Sequence, residues 1–299
     1  VDKGRQYILL LSSRPNRWAS ARFREAAKAR GTALRFGDPS QVMLETADAS
    51  VRFYGRRIGR PHSVIPRLGP GNYENGIALL THFETAGVPV ANSGASIGLA
   101  RDTWLTLLAF SKAGLRIPAT ARLVSIRDLK IARKTIPGPP WILKTFTGAM
   151  GIGTMLVREV DQLEALAATL WALHQPILMQ EYLRSSQERI SDIRALVIGE
   201  RMIGAIRRAA PRGEFRSNVH RGGRPEAIEL SRQEEKLALR AARAIGLGLA
   251  GIDWIDTAEG PVFLEANATP GFQGFEGATG LDVAGEMIDY AVRIGKSAS

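Results

Sequence analysis

The stretch Val262 to Phe272, VFLEANATPGF, ends an apolar run on a carboxylate and follows it two positions later with an amide. Side chains alternate faces along a strand, so Glu265 and Asn267 project from one side, and Thr269-Pro270-Gly271 turns the backbone just beyond them. Two oxygen donors aimed at one point suit a hard cation such as magnesium, which takes few protein ligands and fills its shell with water and phosphate oxygens. A strand that ends in an ordinary polar loop carries the same letters, so partners elsewhere must decide. One partner lies just upstream. LAGIDWID (249–256) and PVFLEAN (261–267) face each other across TAEG, which sets Asp253 beside Glu265 and Asn267 as a cup of two carboxylates and an amide. Asp256 competes for the same role, but its place next to the turn predicts a solvated side chain.

A second constellation suits phosphate. KTFTGAMGIG puts Lys144 at a strand end, with Gly148, Gly151 and Gly153 in the loop after it. Such glycines let backbone N–H groups close on phosphate oxygens, and the lysine adds a point charge. No GxxxxGK[ST] occurs, and the first strand is followed by SSRPNRWAS with no GxGxxG, so neither a Walker loop nor a dinucleotide fingerprint is present. Between 201 and 224 stand seven arginines, no lysine and only Glu214 as an acid. Arginine in that density favours forked grip on phosphate or carboxylate, although a solvated basic face reads alike.

These groups need strands to carry them and turns to aim them. YILLL (7–11), a helix from about Ser20 to Arg30 closed by Gly31, and ALRF (33–36) predict the opening of a small α/β unit. A hairpin-like VRFYGRRI (51–58), the strand SVIPRLG (63–69), a helix from about Tyr73 to Ala86 and the strand VPVAN (88–92) continue it. SGASIG (93–98) reads as a joint before the helical run RDTWLTLLAFSKAG. The strands ATARLV, WILK, TMLV and ILMQEY follow. Between the last two, a helix from Asp161 to His174 is expected, boxed by Glu164, with Leu163, Leu166, Leu170 and Leu173 as core. The last unit holds a hairpin of DIRALVI (192–198) and RMIGAIRR (201–208) across Gly199-Glu200. A helix from Ser231, boxed by Glu234, then runs to Gly246, and the terminal GKSAS is expected to fray.

At 299 residues and 45% hydrophobic the chain is globular, with two or three domains. It has no cysteine, which removes disulfides, thiolate metal sites and cysteine nucleophiles and fits a reducing compartment. No apolar run approaches the ~20 residues of a membrane span, so a soluble cytoplasmic protein is expected. The formal charge of +11 calls for anionic partners.

The lysine and glycine lid, QEY at a strand end, the arginine-rich segment and the D…ExN cup, in that order, resemble the ATP-grasp ligases. They resemble most the RimK family, which joins glutamate to the carboxyl terminus of an acceptor peptide. The resemblance runs over nearly the whole chain, through VIPRLG (64–69), KTFTGAMGIG (144–153), QEY (180–182), DIR (192–194), GEFRSNVHRGG (213–223), AGID (250–253) and EANATPG (265–271). It implies an α/β ATP-grasp fold: an amino-terminal pre-ATP-grasp domain at 1–97, a central subdomain with the glycine lid at 98–183, and a carboxyl-terminal subdomain with the metal site at 184–299.

Carried over residue by residue, the resemblance gives Lys144 and the Gly148, Gly151 and Gly153 backbone to the phosphates, and Glu181 and Tyr182 to the adenine. Asp192 would meet the ribose, while Arg208, Arg216, Ser217 and Asn218 would face the γ-phosphate and the acyl intermediate. Asp253, Glu265 and Asn267 would bind magnesium, with manganese able to replace it, and Arg67 would take a substrate carboxylate. The implied reaction is phosphorylation of a carboxylate by ATP, then attack of an amine, with glutamate and an acidic peptide or protein as substrates. Of the histidines only His220 lies in this block, in an orienting role. The chain departs from the family at Arg101-Asp102-Thr103-Trp104, where the family has a lysine at the third position; Thr103 offers no charge, and Arg101 or Lys112 would have to compensate. Two other readings stay open. One is an ATP-grasp ligase for a small amino-acid or coenzyme substrate; the other is a basic ribosome- or RNA-binding protein with a nucleotide switch, which aromatics at 7% disfavour. Self-association is left open.

Overall fold

The run Tyr7–Leu11 (β1) is buried at every residue, as a strand covered on both faces must be. Here and below, the computed structural model describes residues 6–14, 17–69, 71–145, 153–187, 191–210 and 224–297, with the backbone alone at 224. After β1 come the helix Trp18–Ala29 (α1), the strand Ala33–Gly37 (β2), a small meander Val42–Leu44 (β3), Val51–Phe53 (β4) and Arg56–Arg57 (β5), the strand Ser63–Pro66 (β6) and the helix Tyr73–Thr85 (α2). The order β2-β1-β6 is parallel throughout. Tyr7, Leu9 and Leu11 pack with Leu79, Leu80 and Phe83 of α2, while Ile8 and Leu10 pack on the other face with Phe23 of α1. The expected strand at 88–92 is reduced to single bridges at Val90 and Asn92.

The expected joint at 93–98 is a helix, Gly94–Arg101 (α3), capped by the Ser93 hydroxyl, which accepts from Ser96 N; a second helix, Thr103–Lys112 (α4), starts on the Asp102 carboxylate. Although these residues precede the central sheet in sequence, Phe110 and Leu115 pack in the core of the carboxyl-terminal unit.

The central unit comprises Thr120–Leu123 (β7), the helix Ile126–Thr135 (α5), Trp141–Thr145 (β8), Thr154–Val157 (β9), the helix Val160–Ala172 (α6) and Ile177–Glu181 (β10). Its antiparallel order is β7-β10-β8-β9. The helix α5 was not anticipated; Ser125 caps it by accepting from Asp128 N. The expected capping box on α6 is absent: the helix begins at Val160, and its N-cap, Glu159, makes no side-chain cap. Leu163 is buried, but Leu173 ends the helix 63% exposed and is not core. Trp141, Leu143, Ile177 and Met179 face the helices. Alternation therefore turns Ile142, Lys144 and Gln180 to the opposite face.

The last unit is a five-stranded antiparallel sheet built from Ser191–Ile198 (β11), Arg201–Ala209 (β12), Arg224–Ile228 (β13), Leu249–Thr257 (β14) and Gly260–Asn267 (β15), with Arg232–Ile245 (α7) between β13 and β14. Its order is β13-β12-β11-β14-β15. The α7 prediction holds in full: Ser231 and Glu234 form the capping box, and Gly246 closes the helix at φ 76°. The sheet's two faces differ. One carries Ile193, Ala195, Val197, Ile252, Trp254 and Phe263 against α7. The other is apolar at one end, through Leu196, Ile198 and Ile206, and charged at the other.

That apolar end is covered by two further helices, Gln273–Thr279 (α8) and Val283–Ser297 (α9), which share a core with Ile8, Leu10 and Phe23. The GKS of the expected frayed tail belongs to α9. Asn92 reinforces the junction. Fully buried, it accepts from Gly248 N and Leu249 N and donates to Leu249 O and Ala268 O, all at 2.8 Å.

Candidate active site

The charged end of the sheet is written by register. Asp192 pairs with Arg208, Arg194 with Asp253, and Asp253 with Glu265. A plain hairpin from the Thr257–Gly260 pair would set Leu264 opposite Asp253 and send Glu265 to the other face. Instead the register shifts between Asp253 and Trp254, whose partner is Phe263, so that Leu264 is bulged out and Glu265 comes opposite Asp253. A bulge of this kind re-aims a side chain. Asn267 follows on the same face, its amide nitrogen 3.2 Å from Glu265 Oε1 and 3.3 Å from Asp253 Oδ2. Gly251 leaves room there: a Cβ would lie 3.0 Å from Pro270 Cβ and 3.5 Å from Arg194 Nε.

Asp253 is 1% exposed and is gripped by two arginines. Arg194 Nε donates to Oδ1 at 2.7 Å and Nη2 to Oδ2 at 2.5 Å; Arg208 Nη2 reaches Oδ2 at 2.9 Å. Burial would push the Asp253 carboxyl up, but Arg194 and then Arg208 more than reverse this and hold it well below the usual range. Arg208 in turn holds Asp192 in a fork at 2.7 and 2.5 Å. Burial alone would lower its pKa; Asp253 and Asp192 keep it above the ordinary arginine value. Glu265 is the open member of the cup, 53% exposed and 3.8 Å from Arg194 Nη2. The protein packed around it, and then the Asp253 charge, raise its carboxyl above the ordinary range.

The expected solvated Asp256 is instead half-buried and accepts from Trp254 Nε1 at 3.0 Å. Asp192 and Arg208 are brought to the site, but as a buried mutual pair. Both Asp192 oxygens are used, and Arg208 is 2% exposed. Lys144 is half-buried and makes no ion pair among the described residues. Burial lowers its pKa, and the Glu265 charge offsets part of that. Gly153 sits at φ 83° next to Thr145, whose N–H it accepts at 3.1 Å. Glu181 is oriented by Ala119, whose N–H it accepts at 2.7 Å, and Tyr182 follows it half-buried. Gly148, Gly151, Arg216, Ser217, Asn218 and His220 lie outside the described residues.

Arg67 follows the end of β6. Its Nη1 donates to Pro270 O at 2.8 Å and its guanidinium lies 5.4 Å from the Phe272 ring centre, so it stands on the turn that follows β15. Burial lowers its pKa to about 10, and no acidic side chain pairs with it among the described residues. At the departure from the family, Thr103 opens α4, Arg101 stacks 3.7 Å over Tyr73 and Lys112 is exposed at the far end of that helix.

The residue that sequence reasoning missed is Arg194. It stood inside DIR with no role, although alternation with Asp192 already placed the two on one face. The cup itself fits a hard cation: two carboxylates and an amide that can turn its oxygen inward are the oxygen-only set that magnesium takes with water and phosphate.

Comparison with known proteins gives the family and the fold. The RimK PreATP-grasp domain matches residues 7–97 and the RimK-like ATP-grasp domain matches residues 100–291. A probable alpha-L-glutamate ligase of Serratia proteamaculans is 35% identical over 97% of this chain and 96% of its own, and one of Chromohalobacter salexigens is 35% identical over 95% and 94%. Among solved structures, the ATP-grasp ligase PsnB, in complex with a precursor variant, Mg and ADP, superposes with a TM-score of 0.77 at 26% identity over 97% of this chain and 99% of that one. A D-alanine–D-alanine ligase of Bacillus anthracis with ATP shares the fold, with a TM-score of 0.71 at 16% identity over 99% and 98%. No described helix is long and apolar enough to cross a membrane. With both domain models spanning the chain and full-length relatives above one third identity, this protein belongs to the RimK-like ATP-grasp ligase family.

Proposed function

We propose that this ligase joins glutamate to the carboxyl terminus of an acidic peptide or protein, using ATP with magnesium. The observation that carries the reading is the bulged pairing that sets Asp253, Glu265 and Asn267 around one point. Two other features support it: Lys144, on the face of the central sheet away from its helices, and Arg67, which has no acidic partner among the described residues. The names of the curated relatives favour glutamate.

In the reaction a carboxylate oxygen of the acceptor attacks the γ-phosphorus and the bond to the bridging oxygen of ADP breaks. The glutamate nitrogen then attacks the acyl carbon, phosphate leaves, and the nitrogen loses its proton. When bound, magnesium would neutralise charge on the phosphates. The side chains do the rest. Lys144, with Gly148, Gly151 and Gly153, would hold the phosphates; Glu181 and Tyr182 would line the adenine slot; Arg216, Ser217 and Asn218 would close on the reacting groups. Asp192 and Arg208 would act as a buried brace for Asp253, and a ribose contact by Asp192 would require that brace to open. Arg67 would hold a substrate carboxylate through the guanidinium N–H groups that make no hydrogen bond among the described residues.

The test is mass spectrometry. The protein is incubated with ATP, magnesium, each amino acid in turn and a panel of acidic peptides, with free amino acids as acceptors in a parallel arm. One-glutamyl increments on the peptides are expected; increments on free amino acids alone would move the reading to a small-molecule ligase. Lys144→Ala and Glu265→Ala should each abolish acceptor-dependent ADP release with the fold intact by circular dichroism, and normal turnover in either would remove the site.

A further inference from the structure

The oxygen of Asp253 that faces Asn267 in the cup, Oδ2, has no lone pair left for a cation. An ionised carboxylate offers about four acceptor directions. Here Arg194 Nε takes Oδ1, while Arg194 Nη2, Arg208 Nη2 and the Asn267 amide converge on Oδ2. The wider cluster is also poorly charged for a dication. Asp192, Asp253 and Glu265 face Arg194 and Arg208, which leaves a single formal negative charge, and Lys144 acts on Glu265 from the central sheet. A cup that binds a divalent ion must therefore first change partners.

The two arginines are not equally able to do so. Arg208 is 3% exposed, forked onto Asp192 and bonded to Asp253 as well, so releasing it would orphan the buried Asp192 and take one of two cations from Asp253. Among the described residues Arg194 has only Asp253 within hydrogen-bond reach, and it is 14% exposed. Phosphate oxygens are acceptors as good for a guanidinium as a carboxylate. We propose that Arg194 is a positioning residue that occupies Asp253 until a nucleotide is bound, so that the divalent ion enters the cup with the nucleotide and not before it. This rests on Asp253 and Glu265 being the metal ligands.

The experiment is titration of the full chain with Mn2+, followed by electron paramagnetic resonance, without nucleotide and with saturating ADP. Wild-type protein should bind Mn2+ at least ~10-fold more tightly with ADP than without it. Arg194→Met should gain at least ~10-fold in Mn2+ affinity without nucleotide and lose most of the ADP dependence. Arg194→Lys, which keeps a cation there, should stay near wild type. Equal Mn2+ affinity with and without ADP in the wild type would overturn the proposal, and this arm needs no variant to fold. Arg194→Met binding nucleotide-free Mn2+ no better than wild type would overturn it too. Adding Glu265→Gln to Arg194→Met separates the premises: loss of the gained site supports the metal cup, while its survival shows that the ion sits elsewhere and that the metal assignment has failed.

Discussion

Two arginine–carboxylate networks hold this molecule, and they differ chiefly in water. At the charged end of the five-stranded sheet, Arg208 is 3% and Asp253 1% exposed. Between α1 and the terminal helices, Arg22 reaches Glu276 and Asp282, and Arg30 reaches Asp282 and Asp289, with Asp282 and Asp289 about half exposed at 46% and 50%. The distances overlap, 2.5–2.9 Å at the cup and 2.8–3.1 Å between the helices. Exposed pairs of this kind each contribute ~0–1 kcal/mol. Buried ones cost several kcal/mol per ion to desolvate, and apolar residues of the same volume would stabilise a fold at least as well. A buried network with two aspartates and two arginines is thus poor evidence of a stability device and better evidence of a site.

The contrast predicts its largest effect at Arg208. Arg208→Met leaves Asp192 without its forked partner and Asp253 with one cation, and should lower stability by ~3–5 kcal/mol in urea unfolding. A loss under 1 kcal/mol would mean that water reaches the network and the contrast is false. Acid comes next. The native Asp253 carboxyl is held below its unfolded value of about 3.9, so its contribution is complete above that pH and is lost as pH falls through the native value. Wild type should therefore lose stability more steeply than Arg194→Met between about pH 5 and pH 3, where protonation in the unfolded chain begins to compete. Parallel curves would show that Arg194 does not depress Asp253.

What the sequence made legible follows the range of the forces. The α7 capping box and the Gly199-Glu200 turn are local chemistry, and both formed where expected. The facing of β14 and β15 could be read from a hairpin and its alternation. The bulge at Leu264, without which Glu265 would point away, could not, because nothing local marks it. Arg194 was opaque for a longer-range reason: its partner Asp253 is 59 residues away, on a strand that becomes its neighbour only in the folded sheet. The terminal helix was legible in principle, since Val283, Ala284, Met287, Ile288 and Ala291 repeat at helical spacing. Reading the tail by its small, polar last residues hid that repeat.

Arg67 offers a third case, half-buried and without an acidic partner among the described residues. Its charge is carried by one carbonyl and an aromatic face, and burial works against it. If it serves substrate, Arg67→Met should not lower the unfolding midpoint, yet should raise KM for the carboxylate substrate ~10-fold or more. Loss of stability with KM unchanged would make it a structural brace for the Pro270 turn.

The smallest effect belongs to the exposed network. Asp289→Ala removes one carboxylate from Arg30, which keeps Asp282 at 3.0 Å, and replaces it with a good helix former inside α9. Stability should change by less than ~1 kcal/mol, with ADP release at wild-type rates. Salt provides the sharper reading, because an exposed pair is screened within about 10 Å at 0.1 M while a buried one is not. Raising ionic strength should therefore erase the small difference between Asp289→Ala and wild type but leave the deficit of Arg208→Met almost intact. If salt closed both gaps equally, burial would not be what separates the two networks, and the charged end of the five-stranded sheet would lose its claim to be more than surface pairing.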